Sequence, residues 1–513
     1  KLQTFKRYTE FSVEVDKELN IIIGDNESGK STILSAINLV LSGNINKIET
    51  LGLEYLFNSQ VIQRFLDSEK DYNDLPILFI ELFLNEQHDF RLNGKNNSDE
   101  RVCDGLRLEC VPNDDFSEDI NEILKQKNPV FPFEYYLTRF LTFSGDPYSG
   151  YKKFLRHISI DSSQVSSEYA IKEYVRDMYN NHIQPIEKSK HQNEYRRYKE
   201  LFKDRVLHEL NSRLESYSFT VKNNSKANLE TDLTLCENDI YLENQGRGKQ
   251  CIIKTEFALS KQSENNDIIL LEEPENHLSH VNMKKVIRKI RESSKRQLFI
   301  ATHSNMISTR LDLRKSILLN SNSTVPVLMK TISESTSKYF MKAPDNNVLD
   351  FILSKKVILV EGDSEFILME AFFNKVAEEN LETSDIHVIA VDGTSFKRFL
   401  EIAVYLKIKT AVIRDNDGDY QVNCIDSFSE FSENEFIKVF YDNDNSRSTF
   451  EICLYQDNSD FCEKLFGEKR KTLTVQNYMI KNKTEVAFEL LENFSNEIEV
   501  PKYINKAIKW IRE

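Results

Sequence analysis

Apolar residues along the chain follow the periods of strands and helices in well-separated stretches. Residues 11–23 alternate between apolar and polar and then run apolar, which predicts a hairpin leading into a buried strand. Apolar runs at 75–84 and 267–271 predict further strands. From about residue 350 the pattern becomes strand, helix, strand, helix, strand, which is typical of a parallel α/β sheet. We therefore expect an α/β fold.

The stretch 163–217 has a different character. It contains no glycine and one proline, and Glu, Lys, Arg and Tyr recur at helical spacing, so we expect one or two long helices. A polar segment at 341–347 is the expected domain boundary. These features predict a first domain in two parts, a helical insertion between the parts, and a second domain. In chain order the predicted segments are 1–150, 151–225, 226–345 and 346–513.

Composition narrows the class of protein without deciding its function. With 513 residues, 40% apolar and 29% charged, the chain fits a folded protein of roughly two or three domains. No apolar run approaches the roughly eighteen residues of a membrane span, and the seven cysteines form no CxxC pair, which indicates reduced thiols in a cytoplasmic protein. The net charge of −15 argues against general nucleic-acid binding, although a local basic groove is compatible with it.

A phosphate-binding motif lies near the N-terminus. The sequence GDNESGKS fits GxxxxGK[ST] and stands between a predicted strand and a predicted helix, as this motif requires. The amides of such a loop surround phosphate, so we expect Lys30 to reach the β- and γ-phosphates of ATP and Ser31 to hold Mg²⁺. The candidate nucleotide-binding residues are Gly24, Asp25, Asn26, Glu27, Ser28, Gly29, Lys30, Ser31 and Thr32.

Two later motifs supply the partners that a phosphate-binding loop needs. The segment DIILLEEPENHL predicts a buried strand that ends in Glu272 and Glu273. We expect Glu272 to anchor the water shell of Mg²⁺ and Glu273 to orient the attacking water. In FIATHS, His303 follows another apolar strand, where an imidazole can sense the γ-phosphate. A lone histidine at a strand end is more often structural, but this order of motifs favours ATP hydrolysis.

These motifs resemble the ABC-type ATPase heads of chromosome-maintenance and DNA-repair proteins. In that family a glycine-rich signature completes the ATP site of the opposite subunit, and Gly246 and Gly248 of NQGRGKQ stand at the corresponding place without the usual leading Leu-Ser. No Q-loop glutamine can be assigned. The helical insertion is too short for the long coiled coil of some relatives. The resemblance therefore implies a dimer contact there, and a helical cap on the ATPase is the alternative.

Carboxylates follow the strands of the second domain. Glu361 ends one predicted strand, and Glu365 lies one helical turn later, so both can face the same point. Asp415 and Asp417 end another strand and, two apart in an extended segment, point to the same side. Sites in parallel sheets gather beyond the carboxyl ends of strands, and converging acids repel unless cations lie between them. Hard oxygen ligands favour Mg²⁺ or Mn²⁺, and two such ions can act on a phosphodiester.

The order E-G-x-x-E, then D-G, then D-x-D resembles a Toprim domain. An ABC-type ATPase followed by a Toprim domain is similar to the architecture of the OLD family of nucleases, and the resemblance spans almost the whole chain. It implies that Glu451 completes the metal site and that Lys483 lies beside the scissile phosphate. In VDGTS, Asp392 is a candidate for a supporting role next to Gly393. The nearby Asp419 is an acid that the pattern does not require.

Two other functions remain open at this point. Type II topoisomerases also combine ATP hydrolysis with Toprim, but they need a tyrosine nucleophile in a separate helical domain, for which the chain leaves no space. A DNA-repair-type ATPase clamp with a degenerate Toprim domain is the non-nucleolytic alternative, and retention of the core acids argues against it.

The OLD resemblance implies an anti-phage endonuclease that acts on phage or plasmid DNA. It also implies ATP and Mg²⁺ or Mn²⁺ as cofactors, and a homodimer or higher homo-oligomer. Some relatives act alone and others act beside a UvrD-type helicase or another defence partner. No membrane association is expected, and the expected location is the cytoplasm.

Overall fold

The computed structural model describes two compact units. The first consists of Lys1–His303 together with Lys315–Leu328, and the second of Ser304–Arg314 together with Met329–Glu513. The predicted boundary near 345 stays a prediction and falls on residues outside the described part of the chain. The structure describes residues 1–513 except 151–153, 163–167, 225–227, 260–266, 293–295, 322, 344–346, 392–394, 468–472 and 495–496.

The first unit contains an antiparallel sheet, a short hairpin and a largely parallel sheet. Its strands are β1 (Leu2–Phe5), β2 (Tyr8–Phe11), β3 (Leu19–Gly24), β4 (Leu78–Phe83), β5 (Asn93–Gly94), β6 (Cys103–Pro112), β7 (Tyr136–Thr142), β8 (His157–Asp161), β9 (Cys236–Glu237), β10 (Ile240–Tyr241), β11 (Ile268–Glu272), β12 (Gln297–Ala301), β13 (Ser316–Leu319) and β14 (Val327–Leu328). Its helices are α1 (Lys30–Ser42), α2 (Ile45–Leu51), α3 (Ser59–Leu66), α4 (Ser117–Leu124), α5 (Glu168–His182), α6 (Pro185–Arg205), α7 (His208–Asn211), α8 (Leu229–Asp232), α9 (Arg247–Leu259) and α10 (His280–Glu292).

The largely parallel sheet has the order β14-β13-β3-β12-β11-β8, with β14 antiparallel to β13. The strand β3 is central, with Ile21, Ile22 and Ile23 fully buried, as expected for a parallel strand covered on both faces. Since β3, β11 and β12 run in the same direction, the residues that follow them lie at one edge of the sheet.

The hairpin predicted within 11–23 is in the wrong place. The hairpin is formed earlier, by β1 and β2, and residues 12–18 belong to no strand. The reason is local: the carboxylate of Asp16 accepts hydrogen bonds from the amides of Glu18 and Leu19, which replaces strand pairing with a turn. The strands predicted at 75–84 and 267–271 are present as β4 and β11.

The predicted helical stretch contains two helices of at least four turns, α5 and α6, followed by the single turn α7. Helix α6 begins with a proline at its first position and a capping box formed by Gln184 and Glu187, which satisfies the free amides at its start. Residues 236–241 form the two-residue strands β9 and β10, which pair antiparallel with each other.

The second unit is a parallel sheet of order β16-β15-β17-β18 with helices around it. Its strands are β15 (Lys356–Val360), β16 (Ile386–Ala390), β17 (Lys409–Ile413) and β18 (Ile437–Phe440). Its helices are α11 (Asn305–Arg310), α12 (Glu334–Lys342), α13 (Val348–Leu353), α14 (Asp363–Ala377), α15 (Phe396–Leu406), α16 (Phe450–Asp457), α17 (Ser459–Phe466), α18 (Val475–Lys481), α19 (Lys483–Glu492) and α20 (Lys502–Arg512).

The core of the second unit explains the apolar run at the start of its sheet. Val357, Ile358, Leu359 and Val360 of β15 are all fully buried, because β15 lies between β16 and β17 and is covered by helices. Among the described residues, none of the helices combines the length and apolar character needed to cross a bilayer.

Candidate functional site

The phosphate-binding loop closes between β3 and α1. Gly29 caps α1 in the left-handed region with φ +101°, and a Cβ atom there would come within 2.3 Å of the hydroxyl oxygen of Tyr8. Only glycine therefore fits without displacing Tyr8. The first turn of α1 has backbone amides without helical partners, and these amides favour an anion at this end of the helix.

A cavity of about 420 Å³ opens at this loop. It includes two basic residues that sequence reasoning missed, Lys6 and Arg7, which lie in the turn between β1 and β2. The sequence feature that could have revealed them is a pair of adjacent basic residues between two short strands. The lining residues are Lys6, Arg7, Asn26, Glu27, Gly29, Lys30, Ser31, Thr32, Glu273 and His303.

The ammonium group of Lys30 is held against the loop itself. Its Nζ donates hydrogen bonds of 2.8 Å to the carbonyl oxygens of Gly24 and Asp25. Burial lowers the pKa of Lys30, and the charges of Glu273 and Asp25 oppose that shift. The ammonium group therefore lies inside the loop, and its contact with phosphate oxygens stays a prediction.

The edge of the parallel sheet supplies hard oxygen ligands. Glu272, the last residue of β11, accepts a hydrogen bond from the hydroxyl of Ser31, and burial raises the pKa of its carboxyl group. Asp161, the last residue of β8, is paired in register with Glu272 and adds negative charge beside it. Sequence reasoning missed Asp161. A hydroxyl and carboxylates at the end of a phosphate-binding loop fit the oxygen preference of Mg²⁺.

Glu273 and His303 contact each other directly. Nε2 of His303 lies 2.9 Å from Oε1 of Glu273, and Nδ2 of Asn276 donates a 2.7 Å hydrogen bond to the other carboxylate oxygen. Glu273 has a φ of +45°, an uncommon conformation for a residue with a side chain. The two contacts fix the orientation of this carboxylate, which lines the cavity. Its role toward the attacking water stays a prediction.

Glu275 is a further acid that sequence reasoning missed. One of its carboxylate oxygens accepts hydrogen bonds from the hydroxyl of Thr302, at 2.6 Å, and from the amide of His303, at 2.9 Å. Burial raises the pKa of Glu275. Glu275 therefore fixes the backbone that carries His303. The sequence feature that could have revealed it is the third acid of the EEPE segment.

The glycines of the expected signature segment have different surroundings. A Cβ atom at Gly248 would lie 2.3 Å from the carbonyl oxygen of His277, whereas one at Gly246 would meet nothing within 4 Å. Neither glycine lines the cavity of its own chain. Their role toward the ATP site of a second subunit stays a prediction.

In the second unit, Glu361 directly follows β15, and Asp415 lies just beyond the end of β17. Since these neighbouring strands are parallel, both residues lie at the carboxyl edge of the sheet. Glu365 is in the first turn of α14, which starts immediately after Glu361 and Gly362. The structure therefore brings the predicted acids of β15, α14 and β17 to one place.

Burial and mutual repulsion shape this carboxylate cluster. Glu365 is 5% exposed, and burial, followed by the charges of Glu451 and Glu361, raises its pKa to about 7. Burial, followed by the charges of Glu365, Glu361 and Glu451, raises the pKa of Asp415 well above its ordinary value. Both shifts disfavour the charged form of the carboxyl groups, and a cation bound between them would oppose these shifts.

The two residues expected from the family resemblance lie together. Glu451, near the start of α16, is buried, and its Oε2 lies 3.1 Å from Nζ of Lys483, the first residue of α19. The side chain of Lys483 is about half exposed. A cation at the rim of the carboxylate cluster is thus available to an incoming anion.

Asp417 departs from the prediction. Its φ is +48°, so the segment after Asp415 turns and is not extended, and Asp417 is exposed while Asp415 is buried. Asp417 lies 2.9 Å from Arg414, which also forms an ion pair with Glu361. Asp419 is exposed, and its carboxylate accepts a hydrogen bond from the amide of Val422. Asp392 and Gly393 lie outside the described residues.

The acids of the second unit do not form a complete metal-binding site in the structure. Within the part of the chain that the structure describes, no three His, Cys, Asp or Glu side chains form a group able to hold a metal ion. Arg414 engages two of the predicted ligands, Glu361 and Asp417. The donor set still fits a divalent cation, because it consists of carboxylate oxygens, which are the hard ligands that such ions prefer.

Asn416 is a positioning residue that sequence reasoning missed. It is almost completely buried, and its Nδ2 donates hydrogen bonds to the carbonyl oxygens of Asp442, at 2.9 Å, and Asp444, at 3.0 Å. Its Oδ1 accepts a 2.9 Å hydrogen bond from the amide of Gly418. The amide of Asp417 also donates to the carbonyl of Ser448. These bonds join the loop of Asp415 to the loop that leads to Glu451.

The fold and the two sites define a class of protein, a P-loop ATPase joined in one chain to a parallel α/β domain with a Toprim-like carboxylate cluster. The family profile of the AAA ATPase domain matches residues 1–307, and that of the TOPRIM domain of overcoming-lysogenization-defect-like proteins matches residues 352–417. The chain belongs to the OLD family, with an AAA ATPase domain followed by an OLD-like TOPRIM domain. These domains imply ATP and a divalent metal ion as cofactors.

Two curated relatives match part of the chain. The Old nuclease of Escherichia phage P2 is 31% identical over 180 residues, which cover 32% of this chain and 30% of the relative. Endonuclease GajA of Bacillus cereus (strain VD045) is 27% identical over 184 residues, which cover 34% of this chain and 32% of the relative. The chain thus spans about a third of the length of the curated relatives it matches.

Solved structures also match the chain at low similarity. The SMC head domain from Thermotoga maritima is 14% identical with a TM-score of 0.29, covering 64% of this chain and 95% of that one. The SMC head bound to the C-terminal winged-helix domain of ScpA is 15% identical with a TM-score of 0.30, covering 63% of this chain and 94% of that one.

Proposed function

We propose that the protein is an ATP-hydrolysing, divalent-metal-dependent DNA endonuclease that acts in anti-phage defence. The observation that carries the proposal is the carboxylate cluster of Glu361, Glu365, Asp415 and Glu451, with Lys483 at its rim. Within the cluster, the pKa values of Glu365 and Asp415 are raised. The names of the two relatives, a nuclease and an endonuclease, support the same chemistry.

The proposed chemistry is hydrolysis of a phosphodiester bond. When bound, Mg²⁺ or Mn²⁺ supplies an activated water and stabilises charge on the phosphate. Glu361, Glu365, Asp415, Asp417 and Glu451 would hold the ions through carboxylate oxygens. Lys483, half exposed and 3.1 Å from Glu451, donates to a non-bridging phosphate oxygen as charge develops on it. Asn416 keeps the loop of Asp415 in place during this step.

The first unit performs the proposed ATP hydrolysis. Lys30, together with Lys6 and Arg7, neutralises the phosphates in the cavity. Ser31 and Glu272, which interact with each other, would hold the Mg²⁺ that accompanies ATP. Glu273, oriented by His303 and Asn276, accepts the proton of the attacking water.

A homo-oligomer is part of the proposal. Helix α6 exposes large apolar side chains, among them Ile186 at 73%, Tyr198 at 61% and Phe202 at 48%, which supports a contact with a second copy. The change Tyr198→Glu should reduce the mass measured by light scattering. In Arg196→Glu, two positions away and thus on the opposite side of the helix, the mass should be unchanged. A monomeric mass for the unaltered chain would contradict this part.

The cellular setting is proposed on the family relationship. The substrate is phage or plasmid DNA, the location is the cytoplasm, and a UvrD-type helicase or another defence partner acts beside the protein. Co-purification from cells expressing the neighbouring genes tests the partner. Plating of phage on cells with and without the protein tests the defence role.

The experiment for the nuclease is a plasmid cleavage assay. Nicked or linear DNA should form with Mg²⁺ or Mn²⁺ and not in EDTA, and Glu361→Ala should abolish it. The matched control is Asp419→Asn, since Asp419 is an exposed acid near the cluster whose loop hydrogen bond an amide oxygen preserves. Cleavage that persists in Glu361→Ala would contradict the assignment. ATP hydrolysis without any cleavage would favour the non-nucleolytic clamp, and a covalent DNA adduct would favour a topoisomerase.

A further inference from the structure

Arg414 lies inside the candidate metal site, directly before Asp415. Its guanidinium forms ion pairs with the carboxylates of Glu361 and, at 2.9 Å, Asp417. The side chain is 16% exposed, and it lies 6.0 Å from the ring centre of Phe396. This is a fixed, largely buried cation on two of the predicted metal ligands.

The basic residues around the cluster are distributed unequally. Arg414 pairs with Glu361 and Asp417, and Lys483 pairs with Glu451. In the described ranges, Glu365 and Asp415 form no ion pair with a basic side chain, although both are at least nine-tenths buried. The cluster therefore has one pair of acids without a resident cation, Glu365 and Asp415, and a second pair, Glu361 and Asp417, that shares Arg414. The fifth acid, Glu451, has Lys483 as its partner.

We propose that Arg414 makes the two metal positions unequal, so that one divalent ion binds readily at Glu365 and Asp415 and a second binds only when Arg414 releases Glu361 and Asp417. The inference rests on the proposed nuclease function and refines how that site is loaded. Arg414 acts here as a positioning residue that competes with the second ion.

The physical reason is that a guanidinium and a divalent ion cannot use the same carboxylate oxygens. A guanidinium donates several N–H groups in a fixed plane, and its two carboxylate partners hold it by charge-assisted hydrogen bonds. Its positive charge also repels a divalent ion placed beside it. Removing the charge should therefore raise the affinity of the second ion more than that of the first.

The test is a titration of the nucleotide-free, metal-stripped full chain with Mn²⁺. Binding is measured by calorimetry and by the electron paramagnetic resonance signal of free Mn²⁺. All proteins carry Glu272→Gln, which removes a ligand of the separate ATP-associated ion. We expect one tight ion and a second that binds at least tenfold more weakly. Arg414→Gln should bring the second affinity to within about threefold of the first, and Arg414→Lys should lie between.

Arg447→Gln is the matched control. Arg447 is also 16% exposed and also bridges two carboxylates, those of Asp442 and Asp457, at 2.8 Å each. It should leave the ratio of the two Mn²⁺ affinities unchanged, and thermal melting monitors the folding of each variant. Two ions of equal affinity in the parent, or the same ratio in Arg414→Gln, would overturn this inference while the proposed function stands. Mn²⁺ binding that does not depend on Asp415 would overturn both this inference and the proposed function.

Discussion

The two candidate sites are both built around carboxylates, but they balance the charge differently. In the first unit, Glu273 contacts His303 and Asn276, Glu272 receives a hydrogen bond from Ser31, and the same cavity holds Lys6, Arg7 and Lys30. In the second unit, burial and the charges of neighbouring acids raise the pKa values of Glu365 and Asp415.

The difference indicates what each site receives. A cavity with several cations and partnered acids is suited to a polyanion such as a nucleotide, which brings its own metal ion. A cluster of buried acids with too few cations is suited to metal ions themselves. On the proposed function, similar residue types at the ends of parallel strands would bind a polyanion in one unit and cations in the other, and the net local charge would distinguish the two sites.

The largest expected effect is on DNA cleavage when a central acid of the second unit is removed. Asp415→Ala should reduce metal-dependent cleavage by at least ~10³-fold, or roughly 4 kcal/mol of barrier, because a metal ligand is lost. ATP hydrolysis should be retained, since Asp415 belongs to the other site. Rates of plasmid nicking and of phosphate release in the same preparation check both. A parallel loss of both activities would show that the sites are not separable.

The second prediction concerns pH. The pKa of Glu365 is about 7 in the folded protein against an ordinary 4.5, so the folded state keeps a proton that the unfolded state releases between these values. Without metal, stability should fall as pH rises from about 4.5 to 7, with a full penalty of about 3 kcal/mol above 7. Glu365→Gln should remove the penalty.

Urea unfolding in EDTA at pH 4 and pH 8 measures this effect. At pH 8 the Gln variant should be the more stable protein, and at pH 4 the two should be alike. Added Mn²⁺ should stabilise the parent protein more than the variant. Identical pH profiles for the two proteins would show that Glu365 is not held in an acid-rich environment.

The third prediction concerns the partnered acid of the first unit. Glu273→Gln keeps the shape of the side chain but removes the base, so ATP hydrolysis should fall by about 10²-fold or more while ATP binding remains. Lys30→Ala should instead weaken binding. Phosphate release and equilibrium binding of a fluorescent ATP analogue separate the two. Normal turnover in Glu273→Gln would mean that another residue activates the water.

The smallest expected effect tests the cations that distinguish the nucleotide cavity. Lys6→Ala should weaken ATP binding by about tenfold, or roughly 1.4 kcal/mol, because one charge-assisted contact to phosphate is lost. The matched control is Lys125→Ala, since Lys125 is exposed at the end of α4 and does not line the cavity. Equal ATP affinities in Lys6→Ala and Lys125→Ala would show that Lys6 does not contribute to nucleotide binding. Mn²⁺ binding by the second unit should not change.

Contiguous motifs were the part of the molecule that the sequence predicted best. The loop of Lys30 and the strand of Glu361 combine a local chemical pattern with a local hydrophobic pattern, so one segment is sufficient to predict them. The expected OLD architecture is confirmed by the family profiles over 1–307 and 352–417. The roles of individual site residues and the domain bounds stay predictions.

The missed residues depend on distant pairing or on local backbone geometry. Asp161 reaches Glu272 only through the register of β8 with β11, more than a hundred residues away in the chain. Asn416 acts through carbonyl groups of another loop, which no side-chain pattern reveals. Asp417 was predicted in an extended segment, but its positive φ turns it outward. These features arise from the assembled backbone.

The central position of β3 has a consequence for how the first unit is made. Leu19 pairs with Leu298 and Ile21 with Ser316, so both neighbours of β3 follow it by roughly 280–295 residues. At a synthesis rate of about 5–20 residues per second, the strand waits roughly 15–60 s with both edges open. It carries three consecutive isoleucines, a composition prone to intermolecular pairing. A chaperone or a cotranslational interaction that covers this segment should therefore determine the yield of folded protein more than the final stability does.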